Sequence, residues 1–335
     1  MNSDSQKKTP SSTKTPRLQK NKKVKNTKKS DAIVLQPTVV VLATYILLLI
    51  SKVIDMTLLN RENEYFSVVI LQMMIFLLPG AIWARLWGDG YIKRLRISVI
   101  QPGAIPFIIV AALMMISGGL LISVLFGGLE SLSQSFTLYD TFVSKDNGTV
   151  HTKLYLVLAY AVIPAICEEF IFRGILCHEY ERGGVMRAII FSSLFFGMLH
   201  FDIVNLPVYI FAGAILAMTL YATRSIFGPM IVHFIYNLFG LFGQPYMSSL
   251  YNLTGSTKFF VFFVTTVFLI SAAIFCKEAA RLYKSYLYRG FTANYRKPVI
   301  KDSAQIRDSY LDVVKSPSAI ACVALYIIAL IISWL

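Results

Sequence analysis

The stretch from residue 167 to residue 174 reads Cys167-Glu168-Glu169-Phe170-Ile171-Phe172-Arg173-Gly174. It places two carboxylates and a guanidinium inside an apolar run, Leu154 to Leu176, that is long enough to cross a bilayer as a helix. Ionisable groups at that depth are costly, so they usually face a protein interior or a water-filled cavity and have a function there. These three side chains are therefore the first candidates for a functional site.

The composition favours a membrane protein. Of the 335 residues, 56% are hydrophobic and only 15% are charged, whereas soluble domains carry charge on about a quarter of their residues. Nine apolar segments are candidate spans, so the sequence predicts an all-α, polytopic transmembrane helix bundle of about eight or nine spans. The segments are Ile33 to Ile54, Tyr65 to Trp83, Ala104 to Phe126, Leu154 to Leu176, Arg187 to Phe201, Leu206 to Tyr221, Ile226 to Phe242, Phe259 to Cys276 and Ser318 to Leu335.

The positive charge is concentrated at the N-terminus. Residues 1–30 hold ten Lys or Arg and one Asp, out of a formal net charge of +14 for the chain. Lacking apolar side chains to bury, this segment is predicted to be a disordered basic tail on anionic lipid, and no nucleic-acid partner is expected.

Basic residues also orient the bundle. If the spans alternate, the tail, the loops at 85–96 and 182–187, Arg224 and the stretch 277–301 share one side, which the positive-inside rule assigns to the cytoplasm. The N-terminus is thus predicted to be cytoplasmic. The polar residues of the fourth to seventh spans would lie roughly 10 to 20 Å inside that edge, which predicts a catalytic cavity in the cytoplasmic half.

Four regions follow along the chain. Residues 1–30 are the tail, 31–150 the N-terminal transmembrane helices, 151–245 the predicted catalytic core, and 246–335 the C-terminal helices. In the last region, Lys277 to Phe291 mixes basic and aromatic residues and suits a helix in the headgroup layer. Lys301 to Pro317 is polar and is interpreted as a surface linker.

Helical spacing separates the two carboxylates. Glu169 and Arg173 are four residues apart with the acid first, which favours an ion pair. Glu168 points about 100° away on the helical wheel and is left for another partner. Pro164 cannot donate a backbone hydrogen bond to Tyr160, so a kink is expected beside the carboxylates.

Few other polar groups occur at membrane depth. His200 follows Phe196 by one turn, and His233 and Asn237 share a helical face. Hydrolysis suits this set: a carboxylate can take a proton from water, a histidine can orient that water, and a histidine with an amide can stabilise an oxyanion.

A zinc site is the alternative use of the same groups. Glu168, His200 and His233 form an acceptable zinc shell, although the two-histidine helical signature of zinc peptidases is absent. His178-Glu179 opens like that signature, but position 182 is an arginine.

Glu168-Glu169 with Arg173, Phe196 with His200, and His233 with Asn237, on successive spans, resemble the three motifs of the CAAX-protease and bacteriocin-processing (CPBP, or Abi) family of intramembrane endopeptidases. The resemblance covers roughly Leu154 to Leu241. It implies a metalloprotease-type hydrolase that cleaves a membrane-associated protein or peptide, either a prenylated tail or a leader-type precursor. A bacterial plasma membrane is the expected location.

The resemblance also implies roles for the site residues. Glu168 would be the base that activates water, with His200 its partner; Glu169 and Arg173 would hold the helix; His233 and Asn237 would line the oxyanion site. No cofactor is required in this mechanism, and zinc is the possible one. Two other classes stay open: a non-catalytic immunity or binding protein of the same fold, and a proton-coupled transporter that uses Glu168 and the histidines as a relay.

Overall fold

The computed structural model describes residues 36–57, 64–88, 90–127, 153–289 and 302–334. Regular structure in these residues is entirely helical, with no strand among them. The basic tail at 1–30 lies outside the described residues, so the prediction made for it is not addressed by the structure.

Eleven helices are numbered here in chain order along the described residues. They are α1 Thr38–Thr57, α2 Glu64–Leu86, α3 Ile105–Gly127, α4 residues 153–180, α5 Val185–Met198, α6 Leu206–Thr223, α7 Phe227–Phe242, α8 Gln244–Thr254, α9 Thr257–Tyr288, α10 Ser303–Val314 and α11 Pro317–Trp334. Short 3₁₀ turns at Ile92–Arg94, Pro102–Ala104 and Glu181–Gly183 lie between them.

The helices have the lengths of membrane spans. Five of them, α2, α3, α4, α6 and α9, are long and apolar enough to cross a bilayer, and α10 with α11 forms a sixth span bent by 52° if the pair is one span. Three shorter apolar helices lie in α1, α5 and α7. Each of the nine predicted apolar segments coincides with a helix, which confirms an all-α, integral, multi-pass membrane protein.

The centre of the bundle is α4. Every residue from 171 to 177 is buried, because α2, α5 and α7 all pack against this helix. The helices α5 and α6 lie along each other, α3 packs against α6, α7 and α9, and α1 packs against α11. The candidate site residues on α4, the α5 end and α7 are thereby held at the middle of the protein.

The helix α4 is not regular. Leu158–Val162 and Phe170–Leu176 are π-helical, and Ile163–Glu169 between them is α-helical with Pro164 in its first turn. The sequence predicted a kink at Pro164, and the structure has a wider, π-helical turn directly before it, which accommodates the missing N–H of the proline. The carboxylates thus lie between two widened turns, a feature that often accompanies functional sites.

Two segments of the C-terminal region differ from the sequence interpretation. The basic and aromatic segment from residue 277 continues α9 without a break as far as Tyr288 instead of forming a separate helix. The expected linker at 301–317 contains a helix, α10, which is tied to the core because Arg187 Nη1 donates to the carbonyl oxygen of Ser309 at 3.0 Å. A polar sequence that lies on a protein surface can still be helical when one face packs.

Candidate active site

A buried ion pair lies at the centre of α4. Glu169 and Arg173 are 0% and 1% exposed, and Arg173 Nη1 donates to Glu169 Oε1 at 2.8 Å, so the predicted pair is confirmed. Arg173 Nη2 donates to the backbone carbonyl of Gly213 on α6 at 2.9 Å. The bond to Glu169 lies within α4 and balances the buried charge, whereas the bond to Gly213 fixes the position of α4 against α6.

His233 on α7 lies between the two carboxylates. Its Nδ1 is 2.8 Å from Glu169 Oε1, and its Nε2 is 4.0 Å from Glu168 Oε2. An ionised carboxylate can only accept, which assigns the Nδ1 proton to the bond with Glu169. The ring therefore has its second nitrogen on the side of Glu168.

Among the described residues, Glu168 differs from Glu169 in having no ion pair shorter than the 4.0 Å approach of His233 Nε2. Its side chain is 12% exposed, and its buried Oε2 accepts no hydrogen bond from the described part of the chain. Glu168 and Glu169 thus have the different surroundings that helical spacing predicted. A nearly buried carboxylate with a free oxygen can bind a water molecule and receive its proton.

Phe196 on α5 connects the cluster to His200. The centre of its ring is 4.6 Å from the Arg173 guanidinium carbon, 5.7 Å from the His233 ring and 5.3 Å from the His200 ring. Phe172 on α4 meets the same ring edge to face at 5.4 Å. This aromatic side chain is in contact with both histidines and with the cation of the ion pair.

A cavity of about 600 Å³ lies on the other side of His200. Tyr209 stacks on the His200 ring with centroids 3.8 Å apart, and His200 Nδ1 donates to the carbonyl oxygen of Phe196 at 3.1 Å, which leaves Nε2 as an acceptor. Asn237 lines the cavity, but Glu168 and His233 do not. The remaining lining side chains come from α3, α4, the α5–α6 connection, α6 and α7: Ile116, Leu120, Ser123, Tyr160, Asp202, Val204, Asn205, Val208, Tyr236, Phe239 and Leu241.

The expected pairing of Glu168 with His200 is not found. No hydrogen bond joins these two side chains within the described residues, and His233 occupies the place beside Glu168. His200 lies two residues beyond the end of α5, and His233 lies in the second turn of α7. His200 and Asn237, rather than His233 and Asn237, face the cavity together.

Asp202 accepts hydrogen bonds within its own turn. Its carboxylate accepts hydrogen bonds from the backbone N–H groups of Val204 and Asn205, at 2.9 and 3.1 Å, and from Asn205 Nδ2 at 2.7 Å. These bonds close the turn before α6. Asp202 therefore shapes the cavity rim.

The cavity lies at one end of α5, α6 and α7. It is lined by the α5–α6 connection and by the second half of α7, whereas Arg182 and Arg224 lie at the opposite ends of the same helices. The predicted orientation of the basic loops therefore conflicts with the predicted cavity in the cytoplasmic half. If the basic turns face the cytoplasm, the cavity lies in the half of the bundle that is farther from the cytoplasm. A cavity in the cytoplasmic half requires the opposite orientation.

The predicted zinc ligands do not form a metal site in this geometry. Among the described residues, no three His, Cys, Asp or Glu side chains are close enough to hold one ion. Glu168 and His233 are neighbours, and the bond from His200 Nδ1 to the Phe196 carbonyl leaves Nε2 of His200 able to act as a ligand. His200 does not, however, complete a three-residue group with them in this geometry.

Two contributors to the site were not identified from the sequence. Gly213 contributes a backbone carbonyl, which no side chain in the sequence indicates. Tyr209 could not be distinguished from the many other aromatic residues in apolar segments. The small size of Gly213 was the available signal, since small residues in spans often mark close helix contacts.

The fold and the site define a class: an integral membrane protein with a buried glutamate, arginine and histidine cluster at the middle of a helix bundle. Residues 150–239 match the family model described as Type II CAAX prenyl endopeptidase Rce1-like. The resemblance recognised from the three motifs is thereby confirmed over this segment.

One curated relative supports the same assignment. The chain is 31% identical over 85 residues to a Bacillus subtilis (strain 168) protein named "Putative membrane peptidase YdiL". The aligned part is 25% of this chain and 35% of that protein, so the chain spans about a third of the length of its relative. No solved structure matches the chain.

Proposed function

We propose that the protein is an intramembrane endopeptidase that hydrolyses a peptide bond in a membrane-associated protein or peptide. The observation that carries the proposal is His233, held by Glu169 and lying 4.0 Å from the free oxygen of Glu168. That distance is too long for a direct hydrogen bond and allows one water molecule beside the pair to contact both atoms.

In this mechanism Glu168 takes a proton from water as the water attacks the peptide carbonyl. His233 orients the water through Nε2, and Glu169 with Arg173 fixes the ring through Nδ1. The proton held on Glu168 then passes to the leaving amine. His233 replaces His200 in the orienting role because of its position beside Glu168.

The oxyanion that forms on the attacked carbonyl would be stabilised by a side chain that lines the cavity. Asn237 has an amide N–H group that can donate to a developing oxyanion, and it lines the cavity with His200. A peptide in the cavity would approach the cluster past His200 and Phe196. The substrate classes are a prenylated C-terminal tail and a leader-type precursor, and no metal takes part in the steps described.

The test compares Glu168→Gln with wild type in purified, detergent-solubilised full-length protein. The probes are two fluorogenic peptides of one sequence, one with a farnesylated cysteine near its C-terminus and one without. Glu168→Gln should lower kcat by at least about a hundredfold, since general-base contributions are of that size or larger. A matched control, Glu278→Gln, removes a carboxylate that pairs with Arg281 on α9 outside the cluster and should leave kcat unchanged.

Cleavage that continues undiminished in Glu168→Gln would contradict the assignment of the base. Absence of cleavage of both peptides by the wild type would count against the peptidase and favour a binding protein of the same fold. Cleavage should persist in the presence of a chelator; its loss, with recovery on adding zinc, would overturn the metal-free mechanism.

A further inference from the structure

A second cavity, of about 390 Å³, lies at the end of the bundle remote from the candidate active site. It is formed where the α2–α3 connection meets the end of α4 and the α6–α7 turn. Five cations and one carboxylate line it: Lys93, Arg94, Arg96, Arg182 and Arg224, with Glu181. Ile97, Ser98 and His178 complete the lining.

The floor of this cavity is fixed by bonds between two turns. Ile226 N–H donates to the carbonyl oxygen of Arg96 at 3.0 Å, and Ser98 Oγ donates to the carbonyl oxygen of Arg224 at 3.1 Å. The hydroxyl of Ser225 also donates to the carbonyl oxygen of Ser98. The two arginine side chains are thereby carried by a rigid pair of turns.

Both arginines have a left-handed backbone, with φ of 56° at Arg96 and 57° at Arg224. Arg224 follows the end of α6, where this conformation is usually taken by glycine or asparagine because a larger side chain is disfavoured there. The guanidinium of Arg224 lies 4.1 Å from the centre of the Tyr286 ring and that of Arg96 lies 5.0 Å from the centre of the Tyr221 ring, contacts that glycine could not make.

The opposite wall is anchored through Tyr91. Trp83 Nε1 donates to the Tyr91 hydroxyl at 3.0 Å, and Tyr91 donates to Glu179 Oε1 at 3.1 Å. Burial, reinforced by the Glu179 carboxylate, raises the pKa of Tyr91 far above its usual value, so the phenol keeps this proton. The 3₁₀ turn Ile92–Arg94 that follows is held against α4 by these bonds.

The acids that the structure describes near the cavity, Glu179 and Glu181, are already bound. Arg96 pairs with Glu181 at 2.7 Å, and Arg182 pairs with Glu179 at 2.9 Å. Lys93 and Arg94 are exposed and form no ion pair with the described residues. The cavity therefore has an excess of positive charge on a preorganised frame, which is the chemistry that recognises phosphate groups.

We propose that this cavity binds a phosphate-bearing anion, either a phospholipid headgroup or a soluble phosphate compound. The rim carries exposed apolar side chains, with Ile97 49% and Val99 90% exposed, as in segments that lie at the headgroup level of a bilayer. The positive-inside rule accounts for basic loops at this end of the bundle. It does not require those loops to enclose a cavity, nor to be joined by hydrogen bonds beneath it. The proposal does not depend on peptidase activity.

The test measures thermal unfolding of purified full-length protein in neutral detergent with added phosphatidylglycerol, phosphatidylcholine or inorganic pyrophosphate. Lys93→Ala with Arg94→Ala removes two exposed charges from the cavity. Arg224→Gly suits the left-handed backbone while deleting a guanidinium. Arg307→Ala with Lys315→Ala is the matched control, because it removes two exposed charges on and beside α10, outside the cavity.

Phosphatidylglycerol or pyrophosphate, but not phosphatidylcholine, should raise the midpoint of unfolding of the wild type and of the control. Both cavity variants should need about tenfold more ligand for the same shift. A response to phosphatidylglycerol alone would identify a headgroup, and a response to pyrophosphate would identify a soluble phosphate. Equal responses from wild type, cavity variants and control, or no response of the wild type to either anion, would overturn the proposal.

Discussion

At the scale of single residues, Glu168 and Glu169 are adjacent in the chain and differ in what surrounds them. Oε1 of Glu169 is bound to Arg173 and to His233, so the residue is part of the structure that holds α4, α6 and α7 together. Both carboxylates have a buried Oε2 that accepts no hydrogen bond from the described residues, but among those residues Glu168 has only the 4.0 Å approach of His233 Nε2 in place of a short ion pair. Loss of Glu169 should therefore affect folding, and loss of Glu168 should affect chemistry.

A double-mutant cycle tests the structural half of this distinction. Arg173→Met should lower the free energy of unfolding by about 3 to 5 kcal/mol, because it leaves the Glu169 carboxylate buried without its cation. Glu169→Gln with Arg173→Met should be less destabilised than the sum of the single changes, by about 1 to 3 kcal/mol. Chemical unfolding in detergent measures both quantities.

An exposed pair provides the reference for this cycle. Arg307 and Asp308 are 3.4 Å apart with side chains 72% and 63% exposed, and Arg307→Met should change stability by less than about 1 kcal/mol. If Arg173→Met were as mild as Arg307→Met, the central pair would have no structural role.

The ion pair between Glu169 and Arg173 could be predicted from the sequence, but the side chains that surround the pair could not. Spacing of four residues predicts contact within one helix, so Glu169 and Arg173 were paired correctly. The position of His233 beside Glu168 depends on the relative depth of α4 and α7, which spacing along either helix does not contain. No hydrogen bond joins Glu168 to His200 among the described residues, and the partnership of these two side chains stays a prediction.

At the scale of elements, the close approach of α5 and α6 sets the position of the Arg173 acceptor. A methyl group added to Gly213 would lie 2.9 Å from Ser193 Cα and 3.3 Å from Phe196 Cδ1. Such distances are too short for carbon atoms, so α6 can lie against α5 only because residue 213 lacks a side chain. The carbonyl that binds Arg173 then lies at the right depth.

Gly213→Ala should therefore lower stability by about 1 to 3 kcal/mol through overpacking and should reduce peptide cleavage as the carbonyl moves away from Arg173. The matched control is Gly240→Ala on α7, where an added methyl group meets nothing within 4 Å. That change should be neutral or stabilising by up to about 1 kcal/mol, since alanine favours helix. Equal unfolding midpoints for the two variants would contradict close packing at Gly213.

Apolar length predicted the helices well, because the bilayer thickness imposes it. It did not predict α10, whose helix forms by packing a few side chains such as Ser309 and Val313 on the bundle. The π-helical turns of α4 were not predicted either, because their formation depends on how neighbouring helices pack. Pro164 was the one sequence feature that indicated an irregularity there.

At the scale of the whole molecule, the two ends of the bundle differ in chemistry. One end carries the basic cavity around Arg96 and Arg224, and the other carries the cavity lined by His200 and Asn237. On the orientation predicted from the basic loops, a substrate would reach His200 from the side opposite the cytoplasm. A prenylated tail made in the cytoplasm would then be a less suitable substrate than an exported peptide.

Cysteine labelling distinguishes the two orientations. The described cysteines other than Cys276 are buried, so Cys276→Ser gives a suitable background for Lys93→Cys and Val204→Cys, two positions that are exposed at opposite ends. On the orientation predicted by the positive-inside rule, Val204→Cys should react with a membrane-impermeant maleimide in intact cells, and Lys93→Cys should react only after permeabilisation. The reverse pattern would place the His200 cavity on the cytoplasmic side and make a prenylated tail the better candidate. Reaction of both positions from one side would contradict the separation of the two cavities across the bilayer.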